Sequence, residues 1–198
     1  MSDFFQLEQQ AHARILRLQS ADSTNRLTCA CVRAITAAVR ELARDPKPLI
    51  LTGNHKFFSA GADLNEIVAL TGVDAYEFGR MGQTMTEVVD DFPAPVIAAV
   101  QGYCMGGGLD LALACDYRIA GPHAIFGHRG AALGLMTGWG GTQRLARLLG
   151  KSRALEMFAA AEKLDATHAL RFGLVDAIAA DPVAEAARIA RTRGAVVP

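Results

Sequence analysis

The sequence predicts a single α/β domain, and three observations carry that prediction. Short apolar runs without polar alternation, Pro48–Gly53 (PLILTG) and Pro95–Gly102 (PVIAAVQG), suit strands that are covered on both faces. Between such runs, apolar residues recur three or four apart, the spacing of helices that cover a sheet. A cluster of glycines then joins one apolar run to a helical pattern, giving strand, turn and helix in succession. The 198 residues suit one core, taken here as 1–198 with its body at 14–178, and no linker, low-complexity tract or fixed-period repeat divides them. With 51% apolar and 20% charged residues the chain has the composition of a folded globular protein.

In chain order, Arg14–Gln19 reads as a short strand and the polar Ser20–Asn25 as a loop. Val32, Ile35, Val39 and Leu42 lie on one helical face, and Asp45-Pro46 ends that helix. After Gly102, the triplet Gly106-Gly107-Gly108 leads into LDLALAC, a compact helix stopped by Asp116. Asp116–Ala120 and Ala124–Gly127 read as short strands, Gly141–Leu149, Ser152–Ala161 and Ala166–Phe172 as helices, and Leu174–Ile178 as a strand. Pro182 sits in the first turn of a last helix that runs to Arg193.

Charge and composition exclude several functions. Twenty Lys and Arg balance twenty Asp and Glu, so no net field draws in nucleic acid or an anionic membrane surface. No run reaches the roughly 18 apolar residues of a membrane span, and Met1–Gln10 is acidic and polar without a basic leader, so a cytoplasmic setting is expected. Cys29, Cys31, Cys104 and Cys115 lie in apolar runs and read as reduced, buried thiols. The five histidines are scattered, and no metal site is expected.

Three partial motifs fail on spacing. Gly150-Lys151-Ser152 ends like a phosphate-binding loop, but Leu145 stands where its first glycine belongs. The glycines from Gly102 to Gly108 do not have dinucleotide-binding spacing. Ser59 lacks the glycine two residues earlier that a nucleophile elbow needs, because Phe57 is there. Arg144, Arg147, Lys151 and Arg153 form a basic group that reads as a solvated helix face.

Two loops remain, each following an apolar strand. Phe58-Ser59-Ala60-Gly61-Ala62-Asp63-Leu64, and Gly102-Tyr103-Cys104-Met105-Gly106-Gly107-Gly108-Leu109-Asp110, resemble the two signature loops of the crotonase (enoyl-CoA hydratase/isomerase) superfamily. The resemblance runs from Pro48 to Ile178 and takes in Gly138-Trp139-Gly140-Gly141-Thr142-Gln143-Arg144 and Gly173-Leu174-Val175. It implies an α/β crotonase fold of repeated β-β-α units and an acyl-CoA substrate. It implies no separate cofactor, coenzyme A being part of the substrate, and a homo-oligomer, trimer or hexamer. Thioester chemistry places negative charge on the carbonyl oxygen, which preorganised N–H donors stabilise. By resemblance those donors are the backbone N–H groups of Ala62 and Gly107. Ala60, Asp63 and Leu64 would line the path of the coenzyme, Gly106 would let the thioester approach the main chain, and Trp139 would border the acyl group. Asn65 stands where the family often has a lysine, which makes an acyl group on an acyl carrier protein a further expected substrate.

The family's hydratases use two glutamates. Asp110 occupies the first position, and its i,i+3 spacing from Gly107 places the carboxylate on the donor's face of the helix, so it is the expected acid/base. Gly130 occupies the second position and Gly138 another acidic position of the family, so simple two-carboxylate hydration is not expected. His128 and Arg129 flank the gap, and His128 is the candidate for proton transfer near neutral pH. The stretch around Trp139 resembles ethylmalonyl-CoA decarboxylase-like members. Decarboxylation of a malonyl-type thioester, or thioester binding without turnover, are therefore the alternatives to hydration or isomerisation. Family members extend well beyond Val175-Asp176, so a shortened or rebuilt C-terminal helical region is expected. The pocket walls are expected in Val68–Asp91, where the pattern assigns no element.

Overall fold

The computed structural model describes residues 2–193. Its elements are β1 (Phe5–Gln9), β2 (Arg14–Leu18), β3 (Arg26–Leu27), α1 (Cys29–Leu42), β4 (Leu49–Thr52), β5 (Phe57–Ser59), β6 (Gly61–Ala62), α2 (Leu64–Val68), α3 (Gly72–Asp90), β7 (Val96–Val100), β8 (Tyr103–Met105), α4 (Gly107–Leu113), β9 (Tyr117–Ala120), β10 (Ile125–Gly127), a 3-10 turn (Gly130–Leu133), α5 (Gly141–Leu149), α6 (Lys151–Ala159), β11 (Lys163–Asp165), α7 (Ala166–Arg171), β12 (Ala177–Ile178) and α8 (Pro182–Arg193). The expected strands and helices are present with shifted ends. Helix α1 begins before Val32 because the Thr28 hydroxyl caps it, accepting from the Cys31 N–H at 3.2 Å. Of the expected strand at 174–178, only Ala177–Ile178 pairs.

The chain winds in repeated units. In each of the pairs β4/β5, β7/β8 and β9/β10, the first strand enters a six-stranded sheet of order β1-β2-β4-β7-β9-β12 and the second enters a four-stranded sheet of order β11-β10-β8-β5. The large sheet is parallel except for β1, and the smaller one is parallel except for β11. Strands β3 and β6 form a separate parallel pair.

Both faces of the large sheet are covered, as the unbroken apolar runs require. Leu49, Leu51, Val96, Ala98 and Val100 join the main core with α1, α3 and α4, whereas Ile15, Ile50, Ile97, Ala99 and Ile119 point to the other side and pack on Ala186 and Ala190 of α8. Among the strands that the sequence pattern did not disclose, β5, β8 and β11 have three residues each and β3 and β6 two, too short to establish a period, while β1 is an edge strand that buries no residue fully. Helix α3 was also undisclosed. It buries only Gly82, Met85, Thr86 and Val89, two of them not apolar markers, and starts from a Thr71–Asp74 capping box.

The basic group divides in two, which corrects its reading as a solvated face. The Arg144 side chain turns inward to Asp90 (2.9 Å) and Thr86 (3.2 Å), and Arg153 stacks on Phe172, while Arg147 and Lys151 are exposed. Among the described residues no helix is long and apolar enough to cross a membrane, and no cluster of metal-ligating side chains occurs.

All four cysteines are free. Burial pushes the Cys31 and Cys115 thiols up to about 12 and raises Cys104 well above the usual range. Cys29 is raised less, by burial first and then by Glu66. Because the thiolate is the reactive form, native protein treated with a chromogenic disulfide is expected to lose Cys29 slowly and the other three only on unfolding. Rapid native reaction of more than one thiol would contradict this packing.

Candidate active site

The site grows from the carboxyl ends of three adjacent parallel strands, β5, β8 and β10. Their register sets Ser59 and Phe126 beside Cys104, all fully buried. A bulge at Phe57/Ser59 in β5 turns the chain toward β6. Past these strands the chain yields three loops, and ligands of parallel sheets bind at such ends. The Gly106 N–H donates to the Gly127 carbonyl at 2.9 Å, tying the β8 loop to the β10 loop.

Two glycines adopt conformations that other residues rarely take. Gly61 has φ +92° and Gly106 has φ +52°, ψ −122°. Their turns bring the Ala62 and Gly107 amides together: a β-carbon on Gly107 would stand 3.4 Å from the Ala62 nitrogen, and one on Gly61 would stand 3.1 Å from the Gly107 nitrogen. Gly107 opens α4, so its N–H has no helical carbonyl behind it.

One turn further along α4, Asp110 is 1% exposed, and its carboxylate accepts the Thr137 hydroxyl through Oδ2. Its other oxygen, Oδ1, lies 3.2 Å from Nε2 of His128, itself 3% exposed. The two atoms are close but not aligned as a hydrogen bond, and neither has another hydrogen-bond partner among the described residues. The His128 ring packs 5.1 Å from Phe158. Gly141, first residue of α5, makes room for the pair, since a β-carbon there would overlap Asp110 Oδ1 and lie 3.0 Å from His128 Nε2. Thr137 and Gly141 carry no signal in the sequence that marks these roles, beyond the paired glycines at 140 and 141.

These groups border a cavity of about 340 Å³ that is otherwise mostly apolar, with Leu70, Phe78, Leu135 and Phe158 in its wall. Ala60, Ala62, Leu64, Gly106, Gly107, Asp110, His128 and Trp139 all line it, so the sequence-marked residues converge on one space. Asp63 is the exception. Its carboxylate caps α2 by accepting from the Asn65 N–H at 2.8 Å and pairs with Arg26 at 3.5 Å, outside the cavity wall. Gly130, which the resemblance aligns with an acidic position, opens the 3-10 turn, and its carbonyl accepts from the Leu135 N–H at 2.8 Å. A β-carbon at Gly130 would lie 2.6 Å from the Leu135 carbonyl oxygen, so the loop is closed over that place.

Helix α3 walls the cavity and holds Trp139. The Trp139 Nε1–H donates to the Phe78 carbonyl at 3.2 Å, the two rings lie 5.1 Å apart, and the Thr86 hydroxyl donates to the Trp139 carbonyl at 3.0 Å. The indole fills the side-chain space of both Gly82 and Gly107.

The winding of paired strands and the cavity at their ends define a crotonase-type fold, and solved structures share it. The chain superposes on DspI of Pseudomonas aeruginosa with a TM-score of 0.94 and 34% identity, covering 100% of this chain and 77% of that one. For an enoyl-CoA hydratase from Bacillus anthracis the values are 0.92 and 32%, covering 98% and 77%. A model of the enoyl-CoA hydratase/isomerase family matches residues 8–195, and the chain belongs to that family of enzymes. It is 38% identical over 175 residues to the crotonyl-CoA hydratase of Syntrophomonas wolfei, spanning 87% of this chain and 67% of the relative. It is 35% identical over 175 residues to the short-chain-enoyl-CoA hydratase of Clostridium acetobutylicum, with the same coverage.

Gly82→Ala tests the packing of Trp139 by the sign of its effect. An alanine in an open helix position stabilises by about 0.5–1 kcal/mol relative to glycine. Here the methyl meets the indole, so a loss of about 1–3 kcal/mol is expected. Trp139 is the sole tryptophan, so its emission reports the displacement directly as a shift to the red. A gain in stability with unchanged emission would contradict the contact.

Proposed function

We propose that the protein moves protons on an enoyl thioester, by hydration or double-bond isomerisation, with Asp110 and His128 as its acid/base pair. The observation that carries this reading is the pair itself: two buried titratable side chains, 3.2 Å apart on the cavity wall, whose facing atoms have no hydrogen-bond partner among the described residues. A substrate or water that reaches the pair from the cavity meets both groups at one place. Family membership and relatives named as hydratases support an acyl-CoA as substrate, and the acyl group would occupy the apolar part of the cavity. The resemblance favours a homotrimer or dimer of trimers, the polar N-terminus a cytoplasmic setting, and an acyl carrier protein is the second carrier because Asn65 offers no cation.

In this mechanism the thioester oxygen accepts from the Ala62 and Gly107 N–H groups, which stabilise the enolate as charge moves onto it. Thr137 occupies Oδ2 of Asp110 and leaves Oδ1 as the base. In hydration, Oδ1 takes a proton from the water whose oxygen bonds to Cβ, and His128 Nε2 gives a proton to Cα. The proton on Asp110 then returns across the gap to His128, so one water has been added and the site is restored. Loss of carbon dioxide needs the N–H donors more than it needs an acid or a base. The facing acid/base pair therefore favours proton transfer over decarboxylation.

Incubation with crotonyl-CoA, followed by mass analysis, is expected to show the mass of one added water, whereas methylmalonyl-CoA is expected to lose no carbon dioxide. Asp110→Asn and His128→Gln are each expected to lower turnover by about 10²-fold or more with little change in substrate affinity. The double variant is expected to lose little more than either single one, since the pair acts as a unit. Turnover within twofold of the parent in Asp110→Asn would sink the proposal. Gly130→Glu is expected not to restore Asp110→Asn, because the Leu135 carbonyl occupies the space the new side chain needs.

A further inference from the structure

Ser59 has no place in the chemistry so far, yet it is fully buried between the two loops that bear the N–H donors. Its hydroxyl donates to the Asn25 carbonyl at 2.7 Å and accepts from the Gly61 N–H at 3.0 Å. It thereby fixes the peptide immediately before the Ala62 N–H. On its other side it fills the side-chain space of Gly108: a β-carbon on Gly108 would lie 2.7 Å from Ser59 Cβ and 3.0 Å from its Oγ. Gly108 is the neighbour of Gly107, so one side chain holds the first donor loop by hydrogen bonds and meets the second by contact.

The anchor behind Ser59 is equally specified. Asn25 is 2% exposed with φ +53°, and its Nδ2 donates to the Phe57 carbonyl at 2.9 Å and the Phe58 carbonyl at 3.2 Å. The Ala60 N–H donates to the Thr24 carbonyl at 2.9 Å, and β3 pairs with β6 directly beyond. Residues 24–27 thus form a fixed rail along the 57–62 segment, and Ser59 is the link from that rail to α4.

We infer that Ser59 is a positioning residue for the reaction, setting the separation of the Ala62 and Gly107 N–H groups. This rests on the reading of those groups as donors to the thioester oxygen. Alanine at 59 keeps the contact with Gly108 but leaves the Gly61 N–H without its acceptor. The donor pair then loses its fixed spacing while the cavity, which Ser59 does not line, keeps its walls.

The test uses an enoyl-CoA whose acyl end carries an electron-donating aryl group conjugated to the thioester, a probe that absorbs further to the red when its carbonyl is polarised. The parent protein is expected to redden the bound probe. Ser59→Ala is expected to bind it within about threefold of the parent, with much of the reddening lost and kcat lowered by about 10- to 100-fold at nearly constant KM, less than the loss of a whole donor. Gly108→Ala, which pushes against Ser59 from the other side, is expected to give the same pattern. Ser59→Cys, which keeps the volume and a weak hydrogen-bonding group, should fall between parent and alanine. Far-UV circular dichroism checks that each variant is folded, and if Ser59→Ala is not, the cysteine and Gly108→Ala proteins decide. Full reddening and kcat within twofold of the parent in the folded variants would overturn the role of Ser59. Failure of the parent itself to redden the bound probe would instead overturn the donor reading, and this inference with it.

Discussion

Parallel pairing of β5, β8 and β10 is the constraint on which the rest of the site depends. Three short strands in fixed register end at nearly the same level, so the residues that follow them must emerge side by side. Ala62 follows the first strand, Gly107 and Asp110 the second, and His128 the third. Residues more than sixty positions apart in sequence thus share one cavity wall. The strands can be this short because each is the second member of a pair whose first strand is buried in the large sheet. The large sheet supplies the stability, with Ile50 and Ile97 packed on one face and Leu51 and Ala98 on the other. The small sheet needs only to hold direction.

Space around the site is shaped largely by missing β-carbons, and each absence answers to a particular neighbour. Gly107 and Gly82 lie on either side of the Trp139 indole, Gly108 receives Ser59, and Gly141 receives the Asp110 and His128 side chains. Interiors are packed to nearly crystalline density, so a side chain of this size can enter only where another has been given up. Such glycines differ in kind from Gly61 and Gly106, whose positive φ turns the chain itself. The two kinds meet in the triplet at 106–108, where the first residue makes the turn and the next two accept packing from Trp139 and Ser59.

Much of this was legible in the sequence, for identifiable reasons. The runs around Ile50 and Ile97 declare two-sided burial directly, and the periodic face of α1 is long enough to fix its register. The two loops disclosed the family through their order after those strands. What stayed hidden lacks local pattern: three-residue strands, the weakly apolar α3, and the hydroxyl of Thr137 against Asp110. His128 was marked only as a titratable group near an expected gap, and its pairing with Asp110 depends on the tertiary placement of β10 against β8. Asp63 shows a structural role that the loop motif did not disclose, capping α2 and pairing with Arg26.

Gly130 and His128 share the short stretch that follows β10 but take different places at the site. A glycine in open surroundings would leave room at position 130 for a side chain. Instead the 3-10 turn is drawn tight by the Leu135 N–H on the Gly130 carbonyl, and the Leu135 carbonyl oxygen stands where a side chain would begin. Two residues earlier, still level with the end of β10, the His128 imidazole reaches the Asp110 carboxylate. Two carboxylates at this distance would repel and force one to hold a proton, whereas a carboxylate and an imidazole can share one without that penalty. The proposed proton relay therefore rests on a single loop, closed at Gly130 and turning His128 inward to Asp110.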